Sequence, residues 1–277
     1  MEGADVAFFE WGSENIIRAT HFEWDIPIVL RIHRYEPYSN YLPGINWSRV
    51  QHVIFTSRHI QEVSNHAVEI PQTCAQHIIP SSIDLNRWDF KDRVHNPRIA
   101  FVGYLNWKKG IPILLQTLRA ILDHDPEFEL FVLGKTQTQE VEHYAFEMGR
   151  HLGVHDHIRW VGWQADVNAA LDKYDVSYII NTSLTEGCPY SVLEGMAKGL
   201  RPIVHRWPGA EHIFPADWLF NRPEEVIPML VPADLRSSVY REFVETHHSG
   251  EIELQRIMEI LGIEEVSKDV GDAVASV

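Results

Sequence analysis

The sequence predicts an α/β protein with two Rossmann-like, doubly wound parallel-sheet domains, the first of them only partial. Short runs of β-branched and aromatic residues recur along the chain, and longer segments with helical periodicity separate many of them. This alternation is typical of βα units, which build parallel sheets. A length of 277 residues fits one large domain or two ordinary ones.

The first third of the chain gives a partial layer of strands. We predict strands at residues 6–9, 26–32, 53–56 and 77–79, and a helix at 57–65. The polar segment 86–97 has little apolar periodicity and is predicted to be a linker.

The second unit is more complete. Pro112 in the first turn and Pro126 after the last support a helix at 111–122. A helical tail is predicted over 235–261. The alternating pattern predicts strands at 99–102, 129–133, 158–161, 176–181 and 202–205, and further helices at 139–152, 166–173 and 190–198.

Composition excludes several classes of protein. A formal net charge of −15 repels phosphate polymers, so we expect no nucleic-acid partner. Two cysteines cannot form a disulfide framework or a zinc site, which favours a reducing cytosol. We expect neither a secretory signal nor a membrane span, since no apolar stretch approaches about 18 residues. His151 and His155 have helical spacing without an acidic ligand set, so no metal site is predicted.

The most informative stretch is TEGCPYSVLEGMA, residues 185–197, which follows a predicted strand and begins a predicted helix. Ligands bind at the carboxyl ends of such strands, and helix N-termini attract phosphate. Glu186 lies in the loop and Glu194 in the helix, so the two carboxylates could hold opposite ends of one elongated ligand. Equally compatible is a structural role, in which Glu194 pairs with Lys198 and Glu186 favours the helix dipole.

Lysines precede another predicted helix, in the segment GYLNWKKG at 103–110. Lys108 and Lys109 oppose the helix macrodipole there, which favours a nearby phosphate, although solvated lysines are an equal alternative. Lys135 resembles the end of a P-loop, but Glu129 stands where that motif requires glycine, so we exclude a P-loop.

His33 ends a predicted apolar strand. It is expected either to face a cleft between the two units or to cap backbone groups beside an Arg34–Glu36 pair.

Glu186 and Glu194 match a Glu-x7-Glu signature, and residues 185–197 resemble retaining nucleotide-sugar glycosyltransferases of family 4, which have the GT-B fold. The resemblance covers nearly all of residues 97–262, and more weakly 26–33 and 79–84. It implies an N-terminal acceptor-side domain at 1–92, a nucleotide-sugar domain at 93–240, and a crossover helix and tail at 241–277. Further matching segments are 102–110, 131–134, 158–162 and 209–211.

The resemblance also implies roles for individual residues. Glu194 would bind the ribose, Glu186 the donor sugar and Lys109 the diphosphate, while His33 would reach across from the first domain. The implied catalytic residues are thus His33, Glu186 and Lys109. The other implied donor-binding residues are Gly103, Tyr104, Lys108, Gly134, Lys135, Val161, Gly162, Gly187, Cys188, Pro189, Tyr190 and Ser191.

The implied reaction transfers a sugar from a UDP- or GDP-linked donor with retention, without a metal or cofactor, to a glycan, lipid or small-molecule acceptor. We expect a cytoplasmic location, including the cytoplasmic membrane face. Tyr104 departs from the family, which usually has arginine there, and Ser81–Ser82 replaces its Asn-Gly. The resemblance also implies that the chain starts partway through the first domain. The alternatives are a non-catalytic nucleotide-sugar-binding or scaffolding protein, and a domain completed by self-association or a second chain.

Overall fold

The computed structural model describes residues 4–230 and 235–263, which form two parallel α/β units. The first sheet has the order β1-β2-β3-β4, and every neighbouring pair is parallel. Its elements are β1 (Ala7–Phe9), α1 (Glu14–Thr20), β2 (Ile28–Ile32), β3 (His52–Phe55), α2 (Arg58–Ala67) and β4 (Ala75–Ile78).

The second sheet has six parallel strands in the order β10-β9-β8-β5-β6-β7. The predicted fold of two parallel-sheet α/β domains is therefore confirmed. The elements are β5 (Arg98–Val102), α3 (Ile111–His124), β6 (Glu129–Leu133), α4 (Gln139–His151), β7 (Ile158–Gly162), α5 (Val167–Lys173), β8 (Tyr178–Asn181), α6 (Tyr190–Ala197), β9 (Arg201–His205), β10 (Leu219–Phe220), α7 (Ser237–His247) and α8 (Gly250–Leu261).

Local sequence explains where these elements form. All five residues of β2 are buried, as expected for a strand covered on both faces of a parallel sheet. The side chains of Ser57, Thr138 and Asp166 cap α2, α4 and α5 by accepting hydrogen bonds from backbone amides of the first turn. These caps place the helix starts directly after the strand ends, at the edge where ligands bind in such sheets.

The helical tail predicted over 235–261 is helical in the structure, where it consists of two helices. α7 ends at His247, and Ser249 caps α8 by accepting from the amide of Ile252 at 3.4 Å. Tyr240 and Val244 of α7 are buried in the core of the second unit. The remaining tail, residues 264–277, lies outside the described residues.

α8 returns to the first unit. Its apolar residues pack against the first sheet, and the carboxylate of Glu253 hydrogen-bonds the guanidinium of Arg31 and, at 2.8 Å, the amide of Ser82. The chain thus crosses back from the second unit to the first, and the contacts of α8 with the first sheet link the two units. The packed residues are Val29, Ile54, Ile79, Ile257, Ile260 and Leu261.

The sequence did not predict α1 or β10. α1 has seven residues and β10 two, too few to show a clear period. The strand expected to start at Val176 starts at Tyr178. Among the described helices, none combines the length and the apolar character needed to cross a membrane.

Candidate functional site

A cavity of about 290 Å³ lies between the two units, at the carboxyl ends of their strands. Both units supply its walls, so the site depends on how they face each other. The lining residues of the first unit are Trp11, His33, Arg34, Tyr35, Thr56 and Ser81, and those of the second are Lys108, Glu186, Gly187, Cys188 and Tyr190.

Lys109 and Glu186 form a largely buried ion pair at this cavity. The ammonium of Lys109 lies 2.5 Å from Oε1 of Glu186, and the same oxygen accepts a hydrogen bond from Ser183 at 2.8 Å. The hydroxyl of Thr182 donates to the carbonyl oxygen of Lys109, and Asn106 caps the turn that carries it. Two residues predicted to be catalytic are therefore in direct contact, and the charge of Lys109 is balanced within the protein.

Lys108 lines the cavity and, unlike Lys109, has no carboxylate partner among the described residues. Burial, and then the positive charge of Arg34, lower the pKa of the Lys108 ammonium, while the nearby carboxylate of Glu186 opposes this shift. In the described part of the chain, neither Lys108 nor Arg34 forms an ion pair with a carboxylate. The cavity thus carries two cations that repel each other.

His33 lies at the cavity, at the end of β2. Its Nε2 is 2.8 Å from Oε1 of Glu10, and its ring stacks on Trp11 with centroids 4.2 Å apart. Sequence reasoning missed Glu10 and Trp11, although both directly follow β1 and so meet the same strand-end criterion that identified His33.

The alternative of an Arg34–Glu36 pair beside His33 is wrong. The carboxylate of Glu36 is buried and accepts hydrogen bonds from the backbone amides of Gly12 at 3.0 Å and His33 at 3.2 Å. A buried carboxylate needs such donors, and here the backbone supplies them instead of the guanidinium. Arg34 therefore does not pair with Glu36 and instead lines the cavity.

The loop before α6 closes the second wall. A Cβ added to Gly187 would lie 3.3 Å from both Cβ of Arg34 and Oγ1 of Thr56, so the units meet closely here. Burial raises the pKa of the Cys188 thiol to about 12, which keeps it neutral. Pro189, one of the implied donor-binding residues, has no amide hydrogen to donate to a ligand, and its carbonyl oxygen accepts a hydrogen bond from the amide of Val192 at 2.9 Å.

Glu194 lines a different cavity, of about 530 Å³, together with Arg87, Trp88 and Asp166. Burial raises the pKa of the Glu194 carboxyl, and the positive charge of Arg87 opposes that shift. The structure therefore brings Glu186 and His33 to one cavity, with Lys109 in contact with Glu186, and places Glu194 in another.

The alternative pairing of Glu194 with Lys198 is wrong. The ammonium of Lys198 is fully buried and lies 2.8 Å from Oδ2 of Asp172, and it also donates to the side-chain oxygen of Asn168. A buried ammonium needs several acceptors, which the single neighbour one turn away could not supply.

Three strand ends of the second sheet contact one another at Gly103, Gly134 and Gly162. The amide of Gly103 donates to Leu133 at 3.0 Å, and that of Gly134 to Gly162 at 2.9 Å. A Cβ on Gly134 would lie 1.9 Å from the carbonyl oxygen of Gly103, so only glycine allows this approach.

Side chains beside these strand ends differ in exposure. The ammonium of Lys135 lies 5.7 Å from the ring centroid of Trp163, Val161 is half-buried and Tyr104 is exposed. Ser191, in the first turn of α6, is half-buried. Among the described residues, no cluster of three metal-ligating side chains occurs.

Comparison with known proteins supports this architecture. Residues 96–228 match the family model of "Glycosyl transferases group 1". This segment is therefore similar to group 1 glycosyltransferase domains. It contains the loop of Lys108 and Lys109, the strand ends at Gly134 and Gly162, and the stretch from Glu186 to Glu194. No curated protein matches the sequence.

Solved structures match the chain over most of its length. HepE from Anabaena, crystallised with UDP and glucose, has a TM-score of 0.71 at 16% identity, covering 86% of this chain and 72% of HepE. A sucrose-phosphate synthase from Thermosynechococcus elongatus has a TM-score of 0.72 at 15% identity, and the match covers 94% of this chain and 73% of the synthase. A glycosyltransferase from Rickettsia africae has a TM-score of 0.72 at 15% identity, and the match covers 93% of this chain and 76% of that enzyme. The fold is GT-B, as the sequence predicted.

Proposed function

We propose that this protein is a glycosyltransferase that moves a sugar from a UDP- or GDP-linked donor to an acceptor hydroxyl, with retention at the anomeric carbon and without a metal ion. HepE is crystallised with UDP and with UDP-glucose, which makes UDP the first nucleotide to test. The acceptor is a glycan, lipid or small molecule met at the cytoplasmic side.

The observation that carries this proposal is the joint cavity at the strand ends of the two units. One wall holds Lys108 and the Lys109–Glu186 pair, and the opposite wall holds His33. Sugar transfer needs a cation at the leaving diphosphate and room for an acceptor hydroxyl beside it in the same space. A cavity with walls from both units provides these two positions.

The lysines supply the electrostatic part of the reaction. Negative charge grows on the diphosphate as its bond to the anomeric carbon breaks, and preoriented cations lower the energy of that state. Lys109 is already oriented by its bonds to Glu186 and Thr182, so little reorganisation is needed. The acceptor hydroxyl would attack from the same face, and the leaving phosphate would take its proton.

Glu186 would have two tasks in this scheme. Its Oε1 is occupied by Lys109 and Ser183, while the structure gives Oε2 no hydrogen bond to a described residue. That second oxygen would accept hydrogen bonds from hydroxyls of the donor sugar, and the ion pair would hold the carboxylate in place. Glu194, in its separate cavity, would accept hydrogen bonds from the ribose.

Calorimetric titration of UDP and GDP tests the nucleotide part of the proposal. Lys109→Ala and Glu194→Ala are each expected to weaken nucleotide binding about tenfold or more, because a charge-assisted contact is lost. Lys173→Ala, at an exposed position of α5, is the matched control and should bind like the parent. Unchanged affinity in both site variants would contradict the assignment.

Lys109→Ala leaves the buried Glu186 without its partner and so endangers folding. The double variant Lys109→Met with Glu186→Gln removes both charges and keeps similar volumes, so it tests binding in a folded protein. Transfer is tested by product analysis with donor and candidate acceptors: an inverted product refutes retention, and loss of activity on adding a chelator refutes metal independence. Binding without transfer or hydrolysis would instead identify a non-catalytic binding protein.

A further inference from the structure

The cavity between the units carries positive charge from both of its walls. Arg34 lies on the wall of the first unit and Lys108 on that of the second, and both side chains are half-buried. The carboxylate that shares this cavity, Glu186, is engaged by Lys109. Of the carboxylates that the structure describes, none forms an ion pair with Arg34 or Lys108.

Placing two cations in one partly closed space is unfavourable without an anion. The charge of Arg34 disfavours the charged form of Lys108 and so adds to the effect of burial on its pKa. The guanidinium of Arg34 lies 5.7 Å from the ring centroid of Tyr38, which does not neutralise its charge. The arrangement is understandable if an anionic ligand occupies the cavity for part of the working cycle.

Other donors at the same cavity lack an acceptor. The hydroxyl of Thr56 is buried at 1% exposure and has no hydrogen-bond partner among the residues that the structure describes. Cys188 and Tyr190 line the cavity at the start of α6, and within the described residues their amides have no backbone or side-chain acceptor. A ligand rich in oxygen acceptors would satisfy such a wall.

We infer that Arg34, from the first unit, binds the diphosphate of the donor together with Lys108 from the second. The inference rests on the proposed function and adds a phosphate-binding residue from the opposite unit. The loop at 103–110 offers Lys108 and Lys109, and the charge of Lys109 is already shared with Glu186. Tyr104, at the start of that loop, is neutral and 53% exposed. Arg34 therefore supplies the second free positive charge.

A consequence is that the diphosphate joins the two units. Gly187 already lies against Arg34 and Thr56, so the gap is narrow where the anion would sit. An anion contacted from both walls stabilises their close approach, because each contact is lost if the units separate.

The test is calorimetric titration of the full chain with inorganic pyrophosphate and with UDP. Arg34→Gln is expected to weaken both ligands about tenfold, as the loss of one charge-assisted hydrogen bond predicts. Arg18→Gln, an exposed arginine on α1, is the matched control and should bind like the parent. Arg34→Lys keeps the charge and should recover part of the loss, and added salt should weaken the parent more than Arg34→Gln.

The outcomes separate this inference from the proposed function. If UDP binds and Arg34→Gln behaves like Arg18→Gln, the role of Arg34 is refuted and the glycosyltransferase proposal stands. If neither UDP nor GDP binds the parent, the proposed function fails, while pyrophosphate binding that depends on Arg34 still supports the anion site. If pyrophosphate does not bind the parent, or binds regardless of Arg34, the inference is overturned. Circular dichroism of each variant excludes unfolding as the cause.

Discussion

Replacing Gly134 by alanine tests whether the close approach of the strand ends shapes the site. The new Cβ would start 1.9 Å from the carbonyl oxygen of Gly103, so the two segments must separate by about 1.5 Å to reach ordinary contact. This separation breaks the hydrogen bond from Gly103 to Leu133, which is worth about 1 kcal/mol. The left-handed backbone at Gly134 adds about 2 kcal/mol of strain.

We therefore expect Gly134→Ala to lower the free energy of unfolding by about 3 kcal/mol. Gly162→Ala is the matched control at the end of the next strand: its φ of 76° is also left-handed, but a Cβ there meets nothing within 4 Å, so about 1 kcal/mol of strain is expected. Urea unfolding followed by circular dichroism measures both variants. Equal losses would refute the steric argument, because the two sites differ mainly in crowding.

Three further predictions concern the two cavities and the contact between the units. Burial raises the pKa of the Glu194 carboxyl, so the folded state holds this proton more tightly than the unfolded state does. The free energy of unfolding should therefore fall as the pH rises from the ordinary glutamate pKa through the raised one. Glu194→Gln should remove this fall, measured by urea unfolding between pH 4 and 7, and should also weaken the binding of UDP. Thr56→Val removes a buried hydroxyl that has no partner among the described residues, and should raise the free energy of unfolding by about 1 kcal/mol. A free energy of unfolding below that of the parent would show that the hydroxyl does have a hydrogen-bond partner. A Cβ on Gly209 would lie 2.5 Å from Cβ of His59 in the other unit, so Gly209→Ala should enlarge the radius of gyration measured by small-angle scattering, and an unchanged radius would contradict it.

Elements with a clear period could be predicted from the sequence. The run from Glu129 to Leu133 forms the predicted strand, and α3 starts at the predicted Ile111 because Pro112 favours the first turn. These signals are local, and the structure follows them. The break within the predicted helical stretch was not predicted. There α7 ends at His247, and Ser249 caps the start of α8.

The site could be located from sequence only as a set of strand ends. Position after a strand identified His33, Lys109 and Glu186, and these do approach one cavity. Their contacts depend on tertiary packing, so the pairing of Lys109 with Glu186 across 77 positions had no local signal. The roles assigned to them stay predictions.

Local pairing rules failed where burial decides the partner. The sequence suggested that Lys198 pairs with Glu194 one turn away, and such a contact stabilises an exposed helix by a few tenths of a kcal/mol. Its ammonium is fully buried and takes Asp172 and Asn168, because the cost of an unsatisfied buried charge far exceeds that of a lost surface pair. The rule for exposed helices does not apply to a position whose exposure the sequence cannot give.

The overall and the local electrostatics of this chain act in opposite directions. A net charge of −15 repels a diphosphate at a distance, but at physiological salt that field is screened over about 8 Å. Inside the cavity the balance is reversed, since Lys109 is matched by Glu186 while Arg34 and Lys108 have no carboxylate partner among the described residues. Under the proposed function, donor recognition would come from contacts made after the ligand has entered, with one cation supplied by each unit. Removing either cation would then weaken the diphosphate contact itself rather than the approach of the ligand.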